Sequence, residues 1–315
     1  MSNVLVAGGA GFLGSNLCAA LLERGDNVVC VDNLSTGRRE NIAVLEGKED
    51  FIFIDADITK PIPKELHEHH YDAVVNMASP ASPPRYVELA LETLQVGSLG
   101  TQSLLDIAER DAARFVQAST SEVYGDPDIH PQPESYWGNV NSYGARAMYD
   151  ESKRYAEALI WVYHYQRKVN TGIIRIFNTY GPNMDPEDGR VVSNFIVQAL
   201  SNKPITLYGE GKQTRSFCYV SDQVAAFLKM IDGDLEGPVN VGNPDEFTMV
   251  ELAEKVIRLT GSSSKMVHQP LPPDDPKQRR PDIAKAKAAL NWAPKISLED
   301  GLPHTIAYFR CQLQR

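Results

Sequence analysis

The turn Gly8-Gly9-Ala10-Gly11-Phe12-Leu13-Gly14 constrains the fold of this chain more than any other feature. It follows an apolar run, Val4-Leu5-Val6-Ala7, and opens a helical repeat whose apolar positions are Leu13, Leu17, Ala20 and Leu21. It reads as G-x-G-x-x-G from Gly9 or as G-x-x-G-x-x-G from Gly8. Glycine lets a backbone turn tightly and approach a pyrophosphate, and the helix N-terminus then offers free N–H groups and the positive end of its dipole. A second strand over residues 28–31 ends in Asp32, at about the 20-residue spacing that a dinucleotide fingerprint needs. A carboxylate there accepts hydrogen bonds from a ribose diol and repels a 2′-phosphate, so the pattern predicts NAD rather than NADP. Asp57 and Ile58, after a third strand, fit either an adenine contact or a solvated loop.

Further apolar runs predict strands over 51–54, 73–76, 115–118 and 172–177, with helices over 86–110 and 149–167. Continuous apolar strands alternating with helices mean a parallel sheet covered on both faces. The fold class is α/β, a Rossmann-type doubly wound sheet with a smaller C-terminal substrate-binding lobe. After Tyr180 the chain is rich in turns, while residues 238–242 read as one more buried strand. The stretch 269–281 holds five prolines and reads as a loop, and 290–315 closes with a helix. The expected domains are 1–180 for NAD, with returns near 217–243, and 181–216 with 244–315 for the lobe. A length of 315 residues accommodates both.

A net charge of −10 supplies no basic footprint, so neither nucleic acid nor an anionic membrane is an expected partner. Cys18, Cys30, Cys218 and Cys311 form no C-x-x-C pair, which predicts a reducing, cytoplasmic setting. No run of about 18 apolar residues predicts a membrane span, and the N-terminal residues show no signal-peptide pattern. His67-Glu68-His69-His70 is not H-E-x-x-H, because Tyr71 stands at the needed position; it reads as a solvated helix end, and no metal is expected.

Tyr149 and Lys153 lie four residues apart on a predicted helix and share one face. Ser119-Thr120-Ser121-Glu122 ends the fifth strand, at the carboxyl edge where ligands bind in such sheets. A free phenol has a pKa near 10. A nearby ammonium and an oxidised nicotinamide both favour the phenolate, so Tyr149 is the expected acceptor of an alcohol proton, with Thr120 bonding the same oxygen.

The glycine turn, Asp32-Asn33, Tyr149 with Lys153, and Asn178-Thr179-Tyr180-Gly181-Pro182 resemble the extended short-chain dehydrogenase/reductases that act on nucleotide sugars. Longer motifs resemble the UDP-glucuronate decarboxylases (UDP-xylose synthases) within that family. These are Ala78-Ser79-Pro80-Ala81-Ser82-Pro83-Pro84, Thr120 through Pro127, Asp188 through Phe195, Asp274-Asp275-Pro276, and Arg279 through Ile283. The resemblance implies oxidation at C4, loss of CO2 from the β-keto acid, protonation at C5 and re-reduction at C4, with NAD regenerated. It implies roles for Thr120, Glu122, Tyr149, Lys153 and Arg279. Glu122 assists the C5 proton step or positions substrate, and Arg279 binds either the carboxylate or the diphosphate.

The implied cofactor shell is Gly8, Gly11, Phe12, Leu13, Gly14, Asp32, Asn33, Leu34, Thr36, Gly37, Asp57, Ile58, Met77, Ser79 and Thr179, with Tyr149 and Lys153. Arg85, Tyr163, Asn178, Arg190, Asn194, Arg215 and Arg279 are the expected contacts to a UDP-sugar. Guanidinium forks suit carboxylates and phosphates. Tyr155, Trp161, Tyr163 and Tyr165 share the Tyr149 helix, through which family members pair into a homodimer. Gln95 and Gly97 stand where the family usually has Lys and Asn, and Ala7 takes the first place of its T-G-G motif. The 4,6-dehydratases of the family carry an Asp-Glu pair after the threonine, and this chain has Ser121-Glu122. A dehydratase, a 4-epimerase and a non-catalytic NAD-binding scaffold are the competing readings.

Overall fold

The computed structural model of the chain describes residues 1–270 and 278–314; Asp274-Asp275-Pro276 lie outside the described residues. The first half lays down β1 (Asn3–Ala7), α1 (Phe12–Glu23), β2 (Asn27–Asp32), β3 (Phe51–Asp55), α2 (Lys64–His67) and β4 (Ala73–Asn76). It continues through α3 (Pro83–Glu88), α4 (Ala90–Gln95), α5 (Thr101–Asp111), β5 (Arg114–Thr120), α6 (Ala147–Arg167) and β6 (Thr171–Ile176). Beyond these come β7 (Thr179–Tyr180), α7 (Val191–Leu200), β8 (Ile205–Tyr208), β9 (Thr214–Ser216) and β10 (Cys218–Tyr219). The chain ends with α8 (Val220–Asp232), β11 (Pro238–Val241), β12 (Glu246–Thr248), α9 (Met249–Thr260), β13 (Met266–Gln269), β14 (Gln278–Arg279), α10 (Ala284–Leu290) and α11 (Leu298–Leu313).

Seven of the strands form a parallel sheet of order β11-β6-β5-β4-β1-β2-β3. Successive side chains of a strand point to opposite faces, so both faces of β1 need apolar cover. Val4 and Val6 pack with Leu17 and Leu21 of α1 and with Phe227 and Met230 of α8. Leu5 packs with Leu104 of α5 and Ile160 of α6. The order reverses between β1 and β4, which places the crevice that binds ligands outside their carboxyl ends.

A third core joins Phe195 of α7, Leu252 of α9, and Leu302 and Phe309 of α11, forming the smaller lobe. Phe12 and Tyr219 pack against both this core and the first. β9 carries β12 antiparallel on one side and β14 parallel on the other, which sets Arg279 beside Arg215. Fully buried Gln132 holds the next residues of the chain: its N–H donates to the Arg280 carbonyl, and its carbonyl accepts from the Asp282 N–H.

Three expectations need correction. The single helix over 86–110 is three helices with a π-turn, Val96–Gly100, between α4 and α5. Leu89 breaks it first, leaving helical geometry at φ −108°, ψ 47°. The closing helix starts at Leu298, because α10 ends at Asn291 in the left-handed region and Ser297 caps the next start. α10 belongs with the main sheet, since Ala286, Leu290 and Trp292 pack into the first core and not the lobe.

Candidate active site

A cavity of about 570 Å³ opens at the switch point, between the carboxyl ends of the sheet and the lobe. Its floor begins at the glycine turn. Gly8 has φ +76°, and a Cβ there would stand 2.6 Å from the Ala78 backbone nitrogen. A Cβ on Gly14 would strike the Gly8 carbonyl. A Cβ on Gly11 would meet only that carbonyl, at 3.2 Å, so the need for glycine there comes from the cavity side. Gly11 is the N-cap of α1, with no side-chain cap and no acid in the first turn. The first N–H groups therefore remain available to an anion, and the turn fits a dinucleotide diphosphate.

Phe12, Leu13, Thr36, Met77, Ser79 and Thr179 line the same cavity. Asp32 does not. Its carboxylate accepts from the Ala10 N–H at 3.0 Å and the Leu34 N–H at 2.9 Å, and burial pushes its pKa up against those bonds. Gly37 leaves room for that carboxylate: a Cβ there would sit 2.7 Å from both oxygens. Asp32 thus ties β2 to the glycine turn. Asn33 and Asp57 accept from backbone N–H groups two residues on, and Ile58 is buried in the second core, so these three also lie off the cavity wall. Arg38 and Asn41, absent from the sequence expectation, line it.

Thr120, Glu122, Tyr149, Lys153 and Arg279 all converge on the cavity. The Tyr149 ring stacks on Tyr86 at 4.9 Å between centroids. The Lys153 ammonium lies 5.9 Å from the Tyr149 ring centroid and donates to the Ala118 carbonyl at 3.1 Å. Burial raises the Tyr149 pKa, Glu122 raises it further, and Thr120 and Arg190 pull it back only in part. Burial lowers Lys153 to about 8. In the protein chain by itself desolvation outweighs the groups that lower the phenol, while the sequence expectation rests on the ammonium and an oxidised nicotinamide together.

Glu122 sits in the turn after β5, held by Arg279 through two bonds, one of 2.8 Å, and by Arg146 at 2.8 Å. Burial works to raise its pKa, but the two guanidiniums outweigh it and hold the carboxylate ionised. An ionised, doubly bonded carboxylate holds no proton to donate. Ser121 beside it is buried. Arg85, Asn178, Arg190, Asn194 and Arg215 line the outer cavity, and Arg190 is braced by Asp188 at 2.5 and 2.7 Å.

Tyr163 is not among the lining residues. It stands fourteen residues beyond Tyr149, about 21 Å along the helix, and its hydroxyl donates to Asp106 at 2.6 Å. Gly97 accounts for one family departure. A Cβ there would lie 2.7 Å from both the Cβ and the carbonyl of Ser152, whose hydroxyl donates to the Tyr149 carbonyl at 2.7 Å. The π-turn closes on α6 at Ser152 because that position is bare. Arg146 and Tyr86, which line the cavity, were missed, although Arg146 at the N-cap of α6 stands three residues before Tyr149 and was a readable signal. The histidines of 67–70 lie at the far end of α2, with His67 beside Arg110 and His70 beside Asp111. Among the described residues no cluster of three metal-ligating side chains occurs.

Residues 4–242 match the model of the NAD dependent epimerase/dehydratase family. The chain is 50% identical over 307 residues to UDP-glucuronic acid decarboxylase 1 of Arabidopsis thaliana, covering 98% of this chain and 69% of that protein. It is 47% identical over 311 residues to UDP-glucuronic acid decarboxylase 1 of Danio rerio, covering 99% of this chain and 73% of the other. A solved UDP-glucuronic acid 4-epimerase from Bacillus cereus, in complex with UDP-glucuronic acid and NAD, superposes with a TM-score of 0.89 at 29% identity over 99% of each chain.

Proposed function

Because this chain belongs to the NAD dependent epimerase/dehydratase family, we infer from its site that it is a UDP-glucuronate decarboxylase, converting UDP-glucuronate to UDP-xylose and CO2 with NAD as a regenerated cofactor. One observation carries the choice within the family. The strand end after Thr120 offers Ser121 and an ionised Glu122, and neither can protonate a departing hydroxyl. Hydroxide is a poor leaving group and needs an acid. CO2 leaves neutral and needs only an electron sink, which a C4 ketone β to the carboxylate provides.

The glycine turn, with Met77, Ser79 and Thr179, would hold NAD, which when bound would supply the acceptor and later the donor of the C4 hydride. Tyr149 accepts the C4 hydroxyl proton, while Thr120 bonds the same oxygen. Lys153 holds positive charge beside the phenol as it ionises. As CO2 leaves, electron density moves onto the C4 oxygen, where Thr120 and the newly protonated Tyr149 stabilise it; C5 then takes one proton from solvent, which restores the C4 ketone for re-reduction. Arg279 and Arg146, positioned by Glu122, orient the sugar carboxylate. Arg190 and Arg215, with Asn178 and Asn194, hold the nucleotide diphosphate, so the lobe is the nucleotide-sugar side of the molecule.

The protein works as a homodimer through α6. Leu91 and Leu94 of α4, Leu99 of the π-turn and Tyr155 of α6 are exposed on elements that pack against one another, which supports this reading. A reducing cytoplasmic setting accords with four free cysteines, three of them buried. No helix among the described residues is long and apolar enough to cross a membrane. Mass analysis of the product after incubation with UDP-glucuronate tests the function. Loss of CO2 is expected. A product that keeps its carboxylate and is inverted at C4 would mean an epimerase, and water loss from dTDP-glucose would mean a dehydratase.

A further inference from the structure

One aromatic side chain of the cavity wall has no part in the chemistry above. Tyr86 of α3 is 3% exposed and lines the cavity. Its ring stacks on that of Tyr149, with 4.9 Å between centroids and 13° between planes. A buried phenol ordinarily uses its hydroxyl in a hydrogen bond within the protein. The likewise buried Tyr71, Tyr124 and Tyr163 donate to the Leu66 carbonyl, to Asn240 and to Asp106. Among the described residues none hydrogen-bonds the Tyr86 hydroxyl, yet that oxygen is not sealed in by protein. It is open to the cavity, so its partner is whatever the cavity holds.

The ring is firmly placed. α3 starts with Pro83 and Pro84, whose fixed φ pre-forms its first turn, and the Tyr86 N–H closes that turn by donating to the Ser82 carbonyl at 3.0 Å. From the lobe, Gly189 lies against α3: a Cβ there would stand 2.7 Å from Cγ of Pro84. Tyr86 is thus held between α6 and the segment that leads into Arg190. A residue stacked on Tyr149 stands beside the sugar whose C4 oxygen Tyr149 serves, while the nucleotide lies further out, among the lobe residues. We propose that Tyr86 is a further substrate-binding residue, its hydroxyl hydrogen-bonding a sugar oxygen that flanks C4. A phenol both donates and accepts, so it suits the C3 hydroxyl and the C6 carboxylate, the polar groups on either side of that carbon.

This inference deepens the decarboxylase reading and rests on it, and its test separates the two. Titration calorimetry of the NADH-loaded protein, which cannot accept hydride from C4, reads binding without turnover. Tyr86→Phe keeps the ring and the stack and removes the hydroxyl alone. It should weaken UDP-glucuronate by about tenfold while leaving NADH, and UDP without its glucuronyl group, unchanged. The same loss with UDP-xylose supports a bond to the C3 hydroxyl, and a loss confined to UDP-glucuronate supports a bond to the carboxylate. Unchanged affinity for UDP-glucuronate overturns the inference, and so does an equal loss for UDP, which would mean a general loosening of the cavity. Where Y86F does not bind NADH, Tyr86→Leu, which also lacks the hydroxyl, must show the same selective loss, and equal losses for UDP-glucuronate and UDP overturn the inference there too. Absence of CO2 release from the native protein would sink the decarboxylase reading alone, since the binding constants are still read.

Discussion

Glu122→Gln keeps the size of the side chain and one acceptor oxygen but removes the charge that Arg279 and Arg146 share. The Glu122 and Arg279 side chains are 13% and 7% exposed, so this is a buried pair; Arg146, at 23%, is partly solvated. Breaking a buried pair by neutralising one partner costs about 3–5 kcal/mol, because the other charge is left uncompensated. The surviving amide oxygen and the solvation of Arg146 bring the expectation to about 3 kcal/mol. At about 2.1 cal/mol/K per residue, 315 residues give an unfolding entropy near 0.66 kcal/mol/K, so the midpoint falls by about 4–5 °C. The carboxyl pKa of Glu122 is depressed in the folded state. Its stabilisation is thus complete above the unfolded glutamate value of about 4.3 and disappears as pH falls from there through the folded value. Thermal scans of native protein and E122Q at neutral pH should show the full gap, and scans below about pH 4 a closing one. Equal midpoints at neutral pH, or a gap that widens in acid, would refute the clamp as a source of stability.

Asp32→Ala removes the acceptor of the Ala10 and Leu34 N–H groups and should loosen the glycine turn and weaken NAD binding, read as a dissociation constant by titration calorimetry; an unchanged constant would show that the turn holds without that tie. Tyr149→Phe should lower kcat by about 10²–10⁴-fold with NAD binding intact, and near-normal turnover would assign the proton to another group. Gly97→Ala forces a methyl against Ser152 at 2.7 Å and should cost about 1–3 kcal/mol in urea unfolding, so an unaltered midpoint would show that the π-turn and α6 have slack.

The central sheet was legible because its signals are local. Each strand is a short apolar run, and the glycine turn, Asp32, Thr120, Tyr149 and Lys153 are identified by spacing within one or two elements. What stayed hidden depends on distant partners. Sequence alone left Glu122 between assisting a proton step and positioning substrate, because Arg146, 24 residues away, and Arg279, 157 residues away, meet its carboxylate only in three dimensions. Tyr163 shares the helix of Tyr149, but a common helix does not mean a common site when the rise along the axis carries one of them into the core. The break in 86–110 was hidden because its apolar periodicity runs on through Leu89 and the π-turn. The close helix approach that requires Gly97 is visible only in three dimensions.

The register of a two-residue strand has consequences for how such a chain can change. Arg279 faces Glu122 because Gln278 and Arg279 pair with Thr214 and Arg215, and because Gln132 grips the backbone on either side of Pro281. Side chains alternate along a strand, so one inserted or deleted residue between Gln278 and Asp282 would turn Arg279 outward and present a neighbour to the Glu122 carboxylate. Substitutions across the outer lobe can accumulate and retune which nucleotide it holds. Length changes in this short segment cannot, since each shifts the arginine by a full side-chain alternation. Over descent, the segment should vary in letters and not in length, and grafting a lobe from a relative should succeed only where the junction preserves that count.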